Sequence, residues 1–415
     1  MQKSDRDKTI LRRLAEEVAK IAALPAQEER RALWRRLNGL KPARPMVMID
    51  QICWNELQAD GTLALQCEDG ECRHYEDTLR KTLFQWRHFP VDMVVEPCVA
   101  VGRAVVNSAP GFGVQSHAEV AVTDPTNSVR GYAYHNQFTT DADLEKIKMP
   151  VITHDVAETA RREAAAHEIF GGVIETRTIG FDPSYMSLWD PISHWMSVEG
   201  ALMAIVDRPG FVHAMLERMT RGYLSMLDQL EAQGLLCGPQ PLIHCTGAYT
   251  DELPAPGYDV ARPRTKDIWC FGLAQMFSTV SPAMFDEFEV DYAKRLAERF
   301  GLVYYGCCDP LDLKMAQVRK IPNVRKVSMS PWVDQARGAA AIHGDYVYSR
   351  KPSPAFLATD VFHEDQVRAD LQETVDVCRE HGCPCEMILK DISTIRYDPP
   401  RLARWAQIAM EVAGA

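Results

Sequence analysis

Nowhere in the 415 residues is there an apolar run of the roughly 18 residues that a membrane-spanning helix needs. The amino-terminal segment MQKSDRDKTILRRLAEEVAKIAA is charged throughout and lacks the apolar centre of a signal peptide. An excess of positive charge is also missing: 46 Lys and Arg stand against 57 Asp and Glu, a formal charge of -11, and no basic stripe is visible. Phosphate neutralisation needs a concentrated basic surface, so nucleic acid is not an expected partner, and neither is a membrane. No G-x-G-x-x-G follows the first apolar run, which removes the signature of a dinucleotide fold. No short repeat or low-complexity tract occurs. The expected location is cytoplasmic, and there the 12 cysteines are read as reduced thiols.

What is present is the composition of an ordinary globular protein, 46% hydrophobic and 25% charged. Residues 1–40 space Ile10, Leu11, Leu14, Val18, Ile21, Leu33 and Leu37 at helical intervals, which predicts an extension of two amphipathic helices ending at KPARP. Eight short apolar runs then recur: 44–50, 91–97, 173–181, 267–275, 301–309, 323–331, 345–352 and 385–393. Helical periodicity fills most of the intervals, as in 281–300 and 363–381. Strand alternating with helix predicts parallel pairing. Eight such strands predict an α/β fold of the (β/α)8 TIM-barrel type over 41–415, with insertions at about 98–170 and 237–266.

In such a barrel the chemistry gathers at the carboxyl ends of the strands. That rule selects Asp50 and Gln51, Glu96, Gln275, the run Cys307, Cys308 and Asp309, then Ser330 and Trp332, Arg350 and Lys351, and finally Lys390 and Asp391. The adjacent cysteines are the sharpest local feature. Neighbouring side chains on a strand face opposite ways, so one of the two is expected inside. Cys307, with His244 and Glu96, is a candidate zinc ligand, and Cys308 and Asp309 are alternatives; the competing reading is a buried or merely reactive thiol. Lys351 and Lys390 are candidate anchors for an anionic group, with Asp391 or Glu96 as general acid or base, or else all four belong to ion pairs at the barrel mouth. Asp50, Gln51, His194, Trp195, Gln275 and Trp332 are candidate substrate contacts, although core packing is the more frequent role for aromatic residues such as His194 and Trp195. His381, Cys383 and Cys385 precede the last strand and so fall at the amino-terminal face, where stability is the usual role. Cys67 and Cys72 carry no stronger signal.

The segments RPMVMIDQ, VSPAMFDEFEVDYAKRL, GLVYYGCCDPLD and GDYVYSRKPSPAFL, in that order, resemble the uroporphyrinogen decarboxylase superfamily over roughly 41–415. The resemblance implies a (β/α)8 fold and either of two activities: decarboxylation, or methyl transfer with a corrinoid and zinc held through a His-x-Cys motif. The decarboxylase carries an arginine where this chain has Asp50, and a carboxylate there would repel an anionic substrate. The family's active-site tyrosine falls near Met196. The His-x-Cys motif lines up with Tyr305-Gly306-Cys307, keeping the cysteine. The resemblance therefore implies a metal-assisted methyltransferase, of the kind that demethylates methyl ethers such as methoxylated aromatics. No D-x-H-x-x-G corrinoid-binding pattern is present, so the implied corrinoid is carried by a partner protein, for which 98–170 is a candidate platform. The same resemblance leaves open a lyase acting on a carboxylated substrate and a non-catalytic tetrapyrrole or corrinoid binder, and it implies a homodimer only weakly.

Overall fold

The computed structural model describes residues 3–58, 61–122, 125–127 and 129–414. Its centre is a seven-stranded parallel sheet made of β1 (Met46–Ile49), β2 (Tyr185–Met186), β3 (Trp269–Gly272), β4 (Leu302–Tyr305), β5 (Val324–Met329), β6 (Val347–Arg350) and β7 (Cys385–Leu389). The order is β1-β7-β6-β5-β4-β3-β2, with every pairing parallel. Most of these strands are continuous apolar runs such as LVYY and WCFG, as expected where both faces are covered. The sheet is strongly curled. Cys307 follows β4 and Lys390 follows β7, three strands away and so roughly 14 Å apart on a flat sheet, yet their side-chain tips are 3.2 Å apart.

Two of the eight expected strands are corrected. Residues 91–97 lie beside β1 but are not a strand. Asp92 donates its backbone N–H to the Val47 carbonyl at 2.9 Å, while its buried carboxylate accepts from the Val47 N–H at 2.9 Å and from Arg44. A side chain thus takes the place of a ladder acceptor. Residues 175–179 are a strand, but one paired with Cys98–Gly102 in a separate two-stranded parallel sheet. Among the described residues no ladder joins the edge strands β1 and β2.

The two amino-terminal helices form where their spacing predicts, and they part company. α1 (Asp5–Ala22) is capped by Ser4, which accepts from the Asp7 N–H. It packs with α3 (Gly70–His88), α4 (Val156–Phe170) and the separate sheet around a second core that includes Leu11, Leu14, Leu79, Val101 and Phe170. α2 (Pro25–Asn38) instead covers the amino ends of the central strands. Its Trp34 is buried inside the curl, against Gly247 and under the Lys326 ammonium, 5.1 Å from the ring centroid. The insertion at 237–266 also enters the interior: a short hairpin, Leu242–Ile243 with Thr246–Gly247, buries Ile243, Cys245 and Thr246.

Candidate active site

The interior of the sheet is charged. Lys326 on β5 and Glu386 on β7 are fully buried and paired at 2.8 Å. Glu386 also accepts from Thr246 at 2.7 Å and from Ser349 at 2.6 Å, and Lys326 donates to Thr246 and to the Gly247 carbonyl. Burial lowers Lys326 and works against the charge of Glu386, but Lys326, Lys351 and the hydroxyl of Ser349 outweigh it and hold Glu386 below the usual carboxylate range. One storey towards the carboxyl ends, Lys351 donates to Ser349 at 2.7 Å and to the Tyr304 hydroxyl, which meets Ser349 at 2.9 Å. Burial lowers Lys351 from its ordinary value, and no carboxylate pairs with it among the described residues.

Above this floor the strand ends converge. β4 stops at Tyr305, and Gly306 follows with φ +91°, a conformation that favours glycine. The turn takes Cys307 and Cys308 out of strand alternation, so both thiols reach one place, with the sulfurs 3.6 Å apart. The expectation that only one of them faces inward is corrected accordingly. Lys390 Nζ lies 3.2 Å from Cys307 Sγ and 2.6 Å from the Asp391 carboxylate. Cys307 falls well below the ordinary thiol range because Cys308 donates to it, and His244 and Lys390 add positive charge, against burial; Cys308 is pushed up in return. Burial would lower Lys390, but Cys307 and Asp391 raise it. Cys307 therefore has a fixed ammonium beside it, which favours its thiolate form.

His244 completes the group. Its ring stacks on Phe271 of β3 with centroids 4.0 Å apart and planes 9° apart, and its backbone is held at φ +52°. Nε2 is buried with no hydrogen-bond partner. Burial disfavours the imidazolium, but Cys245 and Cys307 raise His244 to about 9. Asp50, at the end of β1, accepts from the Gln51 N–H at 2.7 Å; burial raises it, while His244 and Lys390 lower it. A polar cleft of about 270 Å³ opens on Asp50 and Gln51 and is walled by Trp54, Asp77 and Lys81.

Other expected site residues lie elsewhere. Glu96 accepts from Tyr249 at 2.7 Å and pairs with Arg31 of α2, at the amino-terminal side. Asp309 is buried in an ion pair with Lys314 at 3.2 Å. Trp195 packs in the core against Phe112 and Phe138, and His194 is exposed, stacked on Tyr134. Gln275 donates to Asp190 at 3.0 Å, Arg350 is tied to Asp370 and the Ser330 carbonyl, and Trp332 is 75% exposed. Of the expected zinc ligands, Glu96 and Asp309 are engaged by other partners, and the Lys390 ammonium lies beside Cys307. Among the described residues no group of three or more His, Cys, Asp and Glu side chains is arranged to hold a metal ion. Nor is any described helix long and apolar enough to cross a membrane. Tyr304, Ser349, Thr246, Lys326 and Glu386 were not among the expected site residues. Their signal is a charge inside an otherwise apolar parallel strand, as in NVRKVSM and CEMIL.

No family model matches the chain, and no curated protein matches it. Among solved structures it is similar to a methyltransferase from Methanosarcina mazei, with a TM-score of 0.52 and 12% identity over 92% of this chain and 98% of that one. At that identity the likeness establishes a shared fold.

Proposed function

We propose that this protein is a methyltransferase that moves a methyl group from a small donor, of the methyl ether class, to a reduced corrinoid carried by a separate protein. The reading is supported by the fold shared with a methyltransferase and by the resemblance of its motifs. The observation that carries it is the buried, unpartnered Nε2 of His244, aimed from a ring fixed on Phe271 and charged beside the Cys307 thiolate. When the methyl–oxygen bond breaks, its electron pair goes to oxygen, and a proton supplied there removes the developing charge. His244 is the group positioned to give that proton. Such general acid catalysis is worth about 10²- to 10⁴-fold. Cys245 and Cys307 hold His244 in its acid form, and Asp50 and Gln51 line the adjoining cleft in which the donor's remainder is held. The corrinoid's nucleophilic metal is the methyl acceptor.

A lyase is the second reading. It is favoured by Lys351, a buried ammonium whose partners are hydroxyls and which would suit a substrate carboxylate. One assay separates the two. The purified protein is mixed with cob(I)alamin and panels of methoxylated and carboxylated compounds, and both Co(I) absorbance and released carbon dioxide are followed. Loss of Co(I) signal that depends on protein and donor, and that His244→Gln abolishes, is the expected result. Carbon dioxide release without methylcobalamin would replace methyl transfer by the lyase.

A further inference from the structure

The Cys307 and Cys308 sulfurs are 3.6 Å apart, with the Lys390 ammonium 3.2 Å from the first. We propose that this pair is an oxidation site: a peroxide-reactive dithiol that closes to a disulfide between neighbouring residues. The inference is independent of methyl transfer and needs only the geometry of the two thiols and the lysine.

The chemistry balances with a hydroperoxide as oxidant. Cys307 Sγ attacks one peroxide oxygen of hydrogen peroxide, forming an S–O bond as the O–O bond breaks, and hydroxide leaves. Lys390 stands beside the sulfur that must carry negative charge to do this, the setting in which a cysteine is reactive. Cys308 Sγ then attacks Cys307 Sγ; the S–S bond forms, the S–O bond breaks and the oxygen leaves as water, taking up the proton that Cys307 released on ionising. The Cys308 proton and the hydroxide make the second water. In total two thiols and one peroxide give one disulfide and two waters.

Proximity favours closure over further oxidation, because the resolving thiol is the adjacent residue and is already in contact. The product is strained. Consecutive Cα atoms sit about 3.8 Å apart, below the roughly 4.4 Å at which ordinary disulfides begin. Strain makes the bond more reducible, so ordinary thiols reopen it and the modification is reversible. Other thiols lie close together, Cys378, Cys383 and Cys385, but Cys383 Sγ is turned to the Ala339 carbonyl at 3.3 Å rather than to an ammonium.

The test uses the reduced full-length protein and an equimolar amount of hydrogen peroxide, followed by trypsin and mass spectrometry. Cleavage after Arg299 and Lys314 releases residues 300–314 with both cysteines. The expected product is that peptide lighter by two hydrogens, restored by dithiothreitol. In Cys308→Ser the first oxidation product persists and takes up dimedone at Cys307, and Lys390→Met slows closure about tenfold. If either variant fails to fold, the wild-type peptide alone decides. A peptide that gains oxygen without losing hydrogen, a cross-link to any other cysteine, or an unchanged peptide overturns the proposal.

Discussion

Replacing Glu386 by Gln tests whether the interior of the sheet is ionised. The substitution keeps size and shape, so no cavity forms; Ser349 and Thr246 bond different carboxylate oxygens at 2.6 and 2.7 Å, so one hydroxyl keeps a carbonyl acceptor and the other meets the amide NH2. What changes is charge. Lys326, fully buried and 2.8 Å from Glu386, is left without its counter-ion, and Lys351 loses the nearest negative charge other than the thiols. Breaking one side of a buried pair costs about 3–5 kcal/mol. Urea unfolding followed by far-UV dichroism should show a lower midpoint with an unchanged slope. Lys326→Met combined with Glu386→Gln removes both charges and should recover part of that loss. Glu386 lies below its ordinary value in the fold, so the wild type's advantage over the Gln variant is full at neutral pH. It shrinks in acid as the carboxylate protonates. A single variant within about 1 kcal/mol of wild type, or a double variant weaker than the single, would refute the ionised pair.

Three further outcomes follow from the same geometry. His244→Gln should lower kcat for methyl transfer by about 10²- to 10⁴-fold, and the wild-type rate should fall as pH rises through about 9, where the imidazolium loses its proton; a variant rate that matches wild type excludes His244 as the acid. Glu289, fully buried, accepts from Tyr305 at 2.9 Å, and burial raises it to about 8, so it is protonated in the fold. Its contribution is full below about pH 4.5 and is lost as pH rises through 8, about 5 kcal/mol in all; comparing urea midpoints of wild type and Glu289→Gln at acid and alkaline pH should show the Gln variant gaining steadily, and a constant difference would show that folding leaves Glu289 unshifted. Trp34→Ala empties a large buried site at the amino end of the sheet and should cost about 3–5 kcal/mol in the same unfolding assay, against a negligible change for the exposed Trp332→Ala.

The six strand expectations realised in the central sheet were legible because those strands are covered on both faces and read as short runs rich in apolar residues. The failures have local causes. Segment 91–97 is apolar enough for a strand, but Asp92 folds its carboxylate back onto Val47, which no hydropathy pattern reveals. Segment 175–179 reads ETRTI, with alternate residues exposed, and that period of two marks a half-solvated satellite sheet rather than a buried parallel strand. β2 is two residues long and offers no pattern at all. For the site, the strand-end rule selected Cys307, Cys308, Lys390, Asp391 and Asp50, which the fold brings to one mouth. Glu96 lies at the amino-terminal side because 91–97 is not a strand. His244 was found through its ligand chemistry, although its position on an inserted hairpin follows only from tertiary structure.

The pairing of β1 with β7 sets Met46 opposite Glu386, so these partners stand 340 positions apart in the chain. A ribosome adding about 5–20 residues per second takes roughly 20–70 s to cover that interval. Throughout it the first strand of the sheet, four apolar residues long, is already made while the neighbour that will shield its edge does not yet exist. During biosynthesis that edge of the first strand therefore stays unpaired until residues 386–389 have been added.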